Sequence, residues 1–306
     1  MDRSPATPST PAPAIGFIGL GLMGAPIALR LHQAFGGLAT IARHRAQAQA
    51  QTPAYAVLSD AAALAAASDL VFTCLPAPAA SRTVYLAPDG LVAHARPGAL
   101  LVELSTIEPQ TAQQIGAACA ARGLGFLDAP VSGGPGGARA GTLSVMAGGS
   151  EADYARALPL FESFAKKCFH LGAVGTSTTA KLCNQMIVSV TNALVAESMV
   201  MARKAGLDTE RLYEVLRASS AHSNTLDRAV PNFILPGKFD AAFALDGIYK
   251  DLECVTQTGK QLGVRLLLAA TAQQLYEEAR AAGHGDKDAA GVYLSIERAA
   301  GLAAGG

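Results

Sequence analysis

The chain has no tryptophan, and aromatic residues fill only 6% of its 306 positions. So few rings leave no stacking platform for single-stranded nucleic acid. Neither sign of charge is in excess, with 24 Lys+Arg against 24 Asp+Glu. A neutral balance supplies no field to gather nucleic acid or an anionic membrane, and neither is an expected partner. Charge of any kind is sparse at 16%, whereas 50% of the residues are apolar. That composition excludes a disordered chain and suits a well-buried enzyme. Cysteine is scarce too: Cys74, Cys119, Cys168, Cys183 and Cys254 form no CxxC pair and their number is odd. Neither a zinc site nor a disulfide framework is indicated, and scattered cysteines of this kind suit a reducing compartment. The histidines, among them His32, His44, His170 and His222, lack ligand spacing, so no metal is expected. No uninterrupted apolar stretch is long enough to span a bilayer. Residues 1–13 carry Pro5, Pro8, Pro11 and Pro13 among Ser, Thr and Ala. They lack the apolar core of a secretory signal and are expected to be a disordered tail, which makes a cytoplasmic location the expectation.

What is present is organised in two halves. A chain of 306 residues exceeds what one core usually serves, so two domains are expected. Residues 14–20 (AIGFIGL) form a short apolar run that closes on Gly19-Leu20, followed by a helical pattern over 23–34. Strands are predicted at 38–42, 70–75, 99–104 and 125–128, separated by Ala-rich helical stretches. Apolar strands alternating with helices signal a parallel sheet covered on both faces, a Rossmann-like doubly wound α/β domain over 14–173. Beyond it almost no strand-like run occurs. Helices are predicted over 181–205, 209–219, 247–263, 266–282 and 287–300, so 174–306 reads as an all-helical domain. The first of these is apolar nearly all round at its centre and is expected to be buried in a bundle or against a second subunit. Gly206 is its expected C-cap.

Four motifs carry chemistry. Gly19-Leu20-Gly21-Leu22-Met23-Gly24 is a GxGxxG between a strand and a helix. Its glycines would permit a tight turn, close approach to a pyrophosphate, and helix–strand packing. After the second strand an acidic residue would select NAD. This chain has Arg43-His44-Arg45 there instead, which favours NADP, with NAD as the alternative; ordinary solvated basic residues would read the same way. Glu103-Leu104-Ser105-Thr106-Ile107-Glu108-Pro109 closes another strand, where ligands bind in open parallel sheets, although Ser-Thr before a helix can equally be an N-cap. Asp128-Ala129-Pro130-Val131-Ser132-Gly133-Gly134 bares its backbone, as an anion nest or as a flexible loop. Lys181-Leu182-Cys183-Asn184-Gln185 sets Lys181, Asn184 and Gln185 on one helical face. A half-buried lysine there would have its charged form disfavoured and become useful for proton transfer; a lysine snorkelling to solvent would look the same in sequence.

In this order the motifs resemble the β-hydroxyacid dehydrogenase family, which includes 3-hydroxyisobutyrate dehydrogenase and tartronate semialdehyde reductase. The resemblance runs from about Ala14 to Ser295 and extends to Lys250-Asp251-Leu252 and Gly285-Asp286-Lys287-Asp288. It implies hydride transfer between NAD(P) and a small 3-hydroxy acid or its semialdehyde, with Lys181 as general acid/base and Asn184 orienting the substrate. It further implies Ser132, Gly133, Gly134, Gln185 and Lys250 around the substrate. Gly19, Gly21, Leu22, Met23, Gly24, Leu75, Pro76, Thr106, Lys250 and Asp251 would hold the cofactor, with Arg43, His44 and Arg45. A homodimer or homotetramer is implied as well. Glu103 stands where the family usually has Asp, and Ser177 where it commonly has Gly. Gln185 is nearer the tartronate semialdehyde type, yet Phe243-Ala244-Leu245 lacks the arginine expected of that type. Lys181 itself argues against the imine-reducing relatives. Reduction of a short semialdehyde such as succinic semialdehyde or glyoxylate is the alternative within the same chemistry; a non-catalytic dinucleotide-binding module is the alternative outside it.

Overall fold

Strands whose every residue is buried and nearly all apolar, with no polar alternation, are covered on both faces. That is how β1 (Ile15–Ile18), β4 (Leu70–Thr73) and β5 (Leu100–Glu103) sit in the protein, whose computed structural model describes residues 13–41 and 55–302. With β2 (Ala39–Ile41), β3 (Ala56–Leu58) and β6 (Gly125–Asp128) they form a six-stranded parallel sheet in the order β3-β2-β1-β4-β5-β6. Side chains alternate between two cores. Phe17, Phe72 and Val102 pack on one face with Ile27 and Leu31 of helix α1 (Gly24–Phe35). Ile18, Val71 and Leu101 pack on the other with Tyr85 and Ile115.

This strand order reverses direction between β1 and β4, the switch point where open α/β sheets bind ligands. Two loops meet there. A Cβ on Gly19 would lie 2.0 Å from the Cys74 carbonyl oxygen, and Gly19 has φ +100°, so only glycine fits.

The α/β half holds more strand than its sequence announces. β3 was not expected, nor was a three-stranded sheet of β7 (Val131–Ser132), β8 (Leu143–Ala147) and β9 (Ala165–His170). The Gly-rich segment is not a flexible loop: Gly133 and Gly134 adopt φ +128° and +63°, and a helix runs from Gly134 to Ala140. After β9 the chain enters one helix, Thr176–Lys204, of 29 residues. It starts five positions before the expected 181 and ends before Gly206, at φ +75°. The helices Leu245–Leu262, Leu267–Ala281 and Val292–Ala299 pack around it in a separate apolar core. A further short helix, Asn224–Ala229, was not foreseen. The helix Thr176–Lys204 has the length and mean hydropathy, 1.3 over its most apolar window, of a membrane span. Lys181, Gln185, Ser189 and Asn192 on it are buried against protein while Glu197 is exposed, the pattern of a core helix with one outer face. Residues 1–12 of the expected tail, and Arg43, His44 and Arg45, lie outside the described residues.

Candidate active site

The long helix must begin somewhere, and its first N–H groups need acceptors. Asp128, the last residue of β6, supplies them from below. Its Oδ1 accepts from Gly175 N at 2.9 Å, and its Oδ2 accepts from Thr178 N at 3.0 Å, Thr178 Oγ1 at 2.6 Å and Ser177 Oγ at 2.5 Å. The Ser177 hydroxyl shares its one proton between that oxygen and the Asp128 carbonyl, 2.6 Å away. The hydroxyl that replaces the family's glycine is therefore used, and it ties the helix to the sheet edge. Asp128 is fully buried, and burial raises its carboxyl above the usual range against the pull of those donors.

One turn further on, the same helix presents Lys181, which is 7% exposed. Its Nζ donates to Gln185 Oε1 at 2.9 Å, an oxygen that also accepts from Asn184 Nδ2 at 3.0 Å. The lysine does not snorkel to solvent. Burial pushes it down from 10.5 to about 8; the Asp251 carboxylate pulls it back up and the Lys250 charge pushes it further down. Gln185 Nε2 in turn donates to Asp251 Oδ2 at 2.5 Å. Lys250 Nζ lies 2.9 Å from Asp251 Oδ1 and donates to the Thr106 carbonyl at 3.1 Å. Burial works against the Lys250 charge, but the Asp251 carboxylate outweighs it and holds Lys250 above its ordinary value. Asp251, expected among the cofactor residues, is 2% exposed and is bonded to Gln185 and paired with Lys250.

The Lys250–Thr106 contact joins the helical half to the loop after β5. In that loop Ser105 N donates to Glu103 Oε1 at 2.8 Å, and Ser105 Oγ accepts from Leu75 N at 2.6 Å. Ser105 is thus a strut between the loops after β4 and β5, not a helix cap. Glu103 is fully buried, and burial raises its carboxyl. Leu75 is thereby tied to the loop that carries Thr106, and Cys74 just before it abuts Gly19.

The glycine loop divides by role. Gly19 and Gly24 are packing glycines: a Cβ on Gly24 would lie 1.9 Å from the Gly19 carbonyl oxygen. Gly21 is exposed and would meet nothing within 4 Å. Beside it Leu22 is 65% exposed and Met23 half-buried. Bare backbone facing open space at a helix N-terminus, over the switch point, fits a dinucleotide pyrophosphate. Ser132 is half-buried and leads into the two positive-φ glycines. Among the described residues no cluster could hold a metal ion, and the five cysteines are free.

A doubly wound sheet with an open glycine turn at its switch point, followed by a helical half that carries a buried amine, is the arrangement of a nicotinamide-dependent oxidoreductase. Residues 14–172 match the family described as the NAD binding domain of 6-phosphogluconate dehydrogenase. Residues 175–296 match the one described as NAD-binding of NADP-dependent 3-hydroxyisobutyrate dehydrogenase. The chain is 34% identical to 2-(hydroxymethyl)glutarate dehydrogenase of Eubacterium barkeri, over 95% of this chain and 97% of that one. It is 38% identical to 3-hydroxyisobutyrate dehydrogenase of Pseudomonas aeruginosa, covering 85% and 86% of the two chains. The solved Mycobacterium tuberculosis 3-hydroxyisobutyrate dehydrogenase with L-serine superposes at TM-score 0.85 with 33% identity, covering 93% of this chain and 99% of that one. The protein belongs to the β-hydroxyacid dehydrogenase family, whose members are NAD(P)-dependent enzymes acting on hydroxy acids.

Proposed function

We propose that the enzyme interconverts a small 3-hydroxy carboxylic acid and its semialdehyde, with Lys181 as the general acid/base. The observation that carries this reading is the buried Lys181 amine, held near pH 8 by burial and beside two amides. In oxidation the neutral amine takes the hydroxyl proton as hydride leaves the substrate carbon; in reduction the ammonium returns it and steadies the developing alkoxide. The nicotinamide, when bound, accepts or supplies that hydride. Asn184 orients the substrate hydroxyl, and Ser132, Gly133 and Gly134 hold its carboxylate. Gln185 keeps the amine in place. Thr106, Leu75 and Pro76 border the nicotinamide, with Lys250 between it and the substrate. Gly19, Gly21, Leu22, Met23 and Gly24 form the pyrophosphate turn. Arg43, His44 and Arg45 favour NADP over NAD by their charge. Residues 14–173 serve as the dinucleotide-binding domain and 174–306 as the substrate and assembly domain, in a cytoplasmic homodimer or homotetramer. Ile187, Leu194 and Met201, each more than half exposed and seven positions apart on the long helix, support the self-association.

Three relatives point to a substrate shape. 3-Hydroxyisobutyrate, 2-(hydroxymethyl)glutarate and L-serine all carry a hydroxymethyl group on the carbon that bears the carboxylate. Initial rates with NADP and NAD over these acids and their semialdehydes, for wild type and Lys181→Ala in parallel, test the reading. Turnover of one substrate, abolished by the substitution, is the expected result. Unchanged turnover in Lys181→Ala would exclude the mechanism.

A further inference from the structure

The Gln185 amide has an orientation that chemistry fixes from both ends. On one side is Asp251, a carboxylate that can only accept; on the other is Lys181, whose ammonium can only donate. The amide must therefore turn Nε2 to Asp251, at 2.5 Å, and Oε1 to Lys181, at 2.9 Å. With its carbonyl end so placed, Oε1 also collects Asn184 Nδ2 at 3.0 Å. Lys250 holds the far oxygen of Asp251 at 2.9 Å and is itself moored to the Thr106 carbonyl at 3.1 Å. The result is an unbroken polar line from the amine, across two helices, to the loop at the sheet edge. An asparagine at 185 would be one methylene short of spanning Lys181 and Asp251 at these distances.

We propose that Asp251 is a positioning residue for the reaction: acting through the Gln185 amide, it fixes where the Lys181 amine sits and keeps an acceptor on its proton. The inference rests on the reading of Lys181 as acid/base. Asp251 does not touch the amine, so the proton is not surrendered to the carboxylate and remains available to substrate. The charged groups acting on Lys181 are Asp251 and Lys250, both from the helix Leu245–Leu262; its own helix offers only the neutral amides Asn184 and Gln185. Cys74 and Cys254 face Lys250 from the β4 loop and from its own helix, and burial keeps both thiols protonated, pushed up to about 12.

The test reads Lys181 directly and without turnover. The rate at which a small anhydride acylates Lys181 is followed from pH 6 to 11 by peptide mass spectrometry, in wild type, Asp251→Asn, Gln185→Leu and the double variant, alongside pH–rate profiles of turnover. In wild type the acylation midpoint is expected near 8. Each single substitution removes support for the ammonium and should lower the midpoint by about one pH unit. Asp251 also acts on Lys181 directly as a charge, so the double variant should shift further than either single but by less than their sum. Additive shifts, or a midpoint unmoved by either substitution, would overturn the proposal. Gln185→Leu leaves the Asp251–Lys250 pair intact, and carries the test if Asp251→Asn fails to fold. Should turnover prove independent of Lys181 while the midpoints shift as stated, the acid/base reading fails and the positioning survives. Should turnover follow Lys181 while the midpoints stay fixed, the reverse holds.

Discussion

Two buried ionisable groups meet at the first two turns of the long helix, Asp128 from the end of β6 and Lys181 from the helix itself, and they are treated in opposite ways. Asp128 meets donors on both oxygens, from Gly175, Ser177 and Thr178, and touches no charged group. Lys181 meets one carbonyl oxygen and lies near charges of both signs that partly cancel. A buried group whose bonding capacity is filled by neutral partners locks two segments together. One left with unused capacity has a proton to exchange, and its poor solvation makes that exchange easy near neutral pH. The anchor and the reagent sit one turn apart because the first holds the second in place.

Substitutions sharpen the contrast. The largest effect belongs to the reagent: Lys181→Met should lower turnover by roughly 10²–10⁴, the usual worth of acid/base catalysis, while leaving cofactor affinity nearly intact. Measured rates within about threefold of wild type would erase the distinction. The anchor should respond in stability instead. Asp128→Ala leaves the Thr178 hydroxyl and the Gly175 and Thr178 N–H groups without their acceptor, and should cost about 3–5 kcal/mol in denaturant unfolding.

The reagent should also show a stability effect of the opposite sign. Between 10.5 unfolded and about 8 folded, burying the Lys181 ammonium costs about 3 kcal/mol. Below pH 8 both states are protonated and the full cost is present. Between 8 and 10.5 the unfolded chain holds the extra proton, so wild-type stability rises with pH. Lys181→Met should therefore be the more stable protein at pH 7, by up to that amount, with the gap narrowing toward pH 10.5. Calorimetry at both pH values measures it, and a gap that widens with pH would contradict the assignment. The smallest structural effect is expected at Gly21. Gly21→Ala meets no neighbour and should melt within a few degrees of wild type, yet bind dinucleotide about tenfold more weakly. Gly19→Ala, by contrast, would place its Cβ 2.0 Å from a carbonyl oxygen and should unfold the turn. Equal behaviour of the two would remove the division between packing and ligand glycines.

How much of this was legible in the sequence follows from how local each signal is. β1, the glycine turn and α1 are adjacent in sequence, and buried parallel strands write themselves as apolar runs. β9 is an edge strand, with Lys166, Lys167 and Phe169 facing solvent, so its composition resembles a loop. The start of the long helix was hidden by Thr176, Ser177, Thr178 and Thr179, residues that favour other backbone states unless, as here, an acceptor holds them. That acceptor, Asp128, lies 47–50 positions away. The same distance problem concealed the central contact of the site: Gln185 and Asp251 are 66 positions apart, and nothing local to either predicts their hydrogen bond. The motif KLCNQ named the amine and both amides; only the fold shows that the Asp251 carboxylate is hydrogen-bonded to one of them.

The most direct test of the account is the pH dependence of hydride transfer in the oxidation direction, measured from pH 6 to 10 at saturating cofactor and substrate. The rate is predicted to rise with pH to a plateau with its midpoint near 8, the pH at which the buried Lys181 amine becomes free to accept the hydroxyl proton, and to lose that rise in Lys181→Ala. A rate that does not change across this range in the wild-type enzyme, or a rise that survives in the variant, would contradict the claim that Lys181 carries the proton.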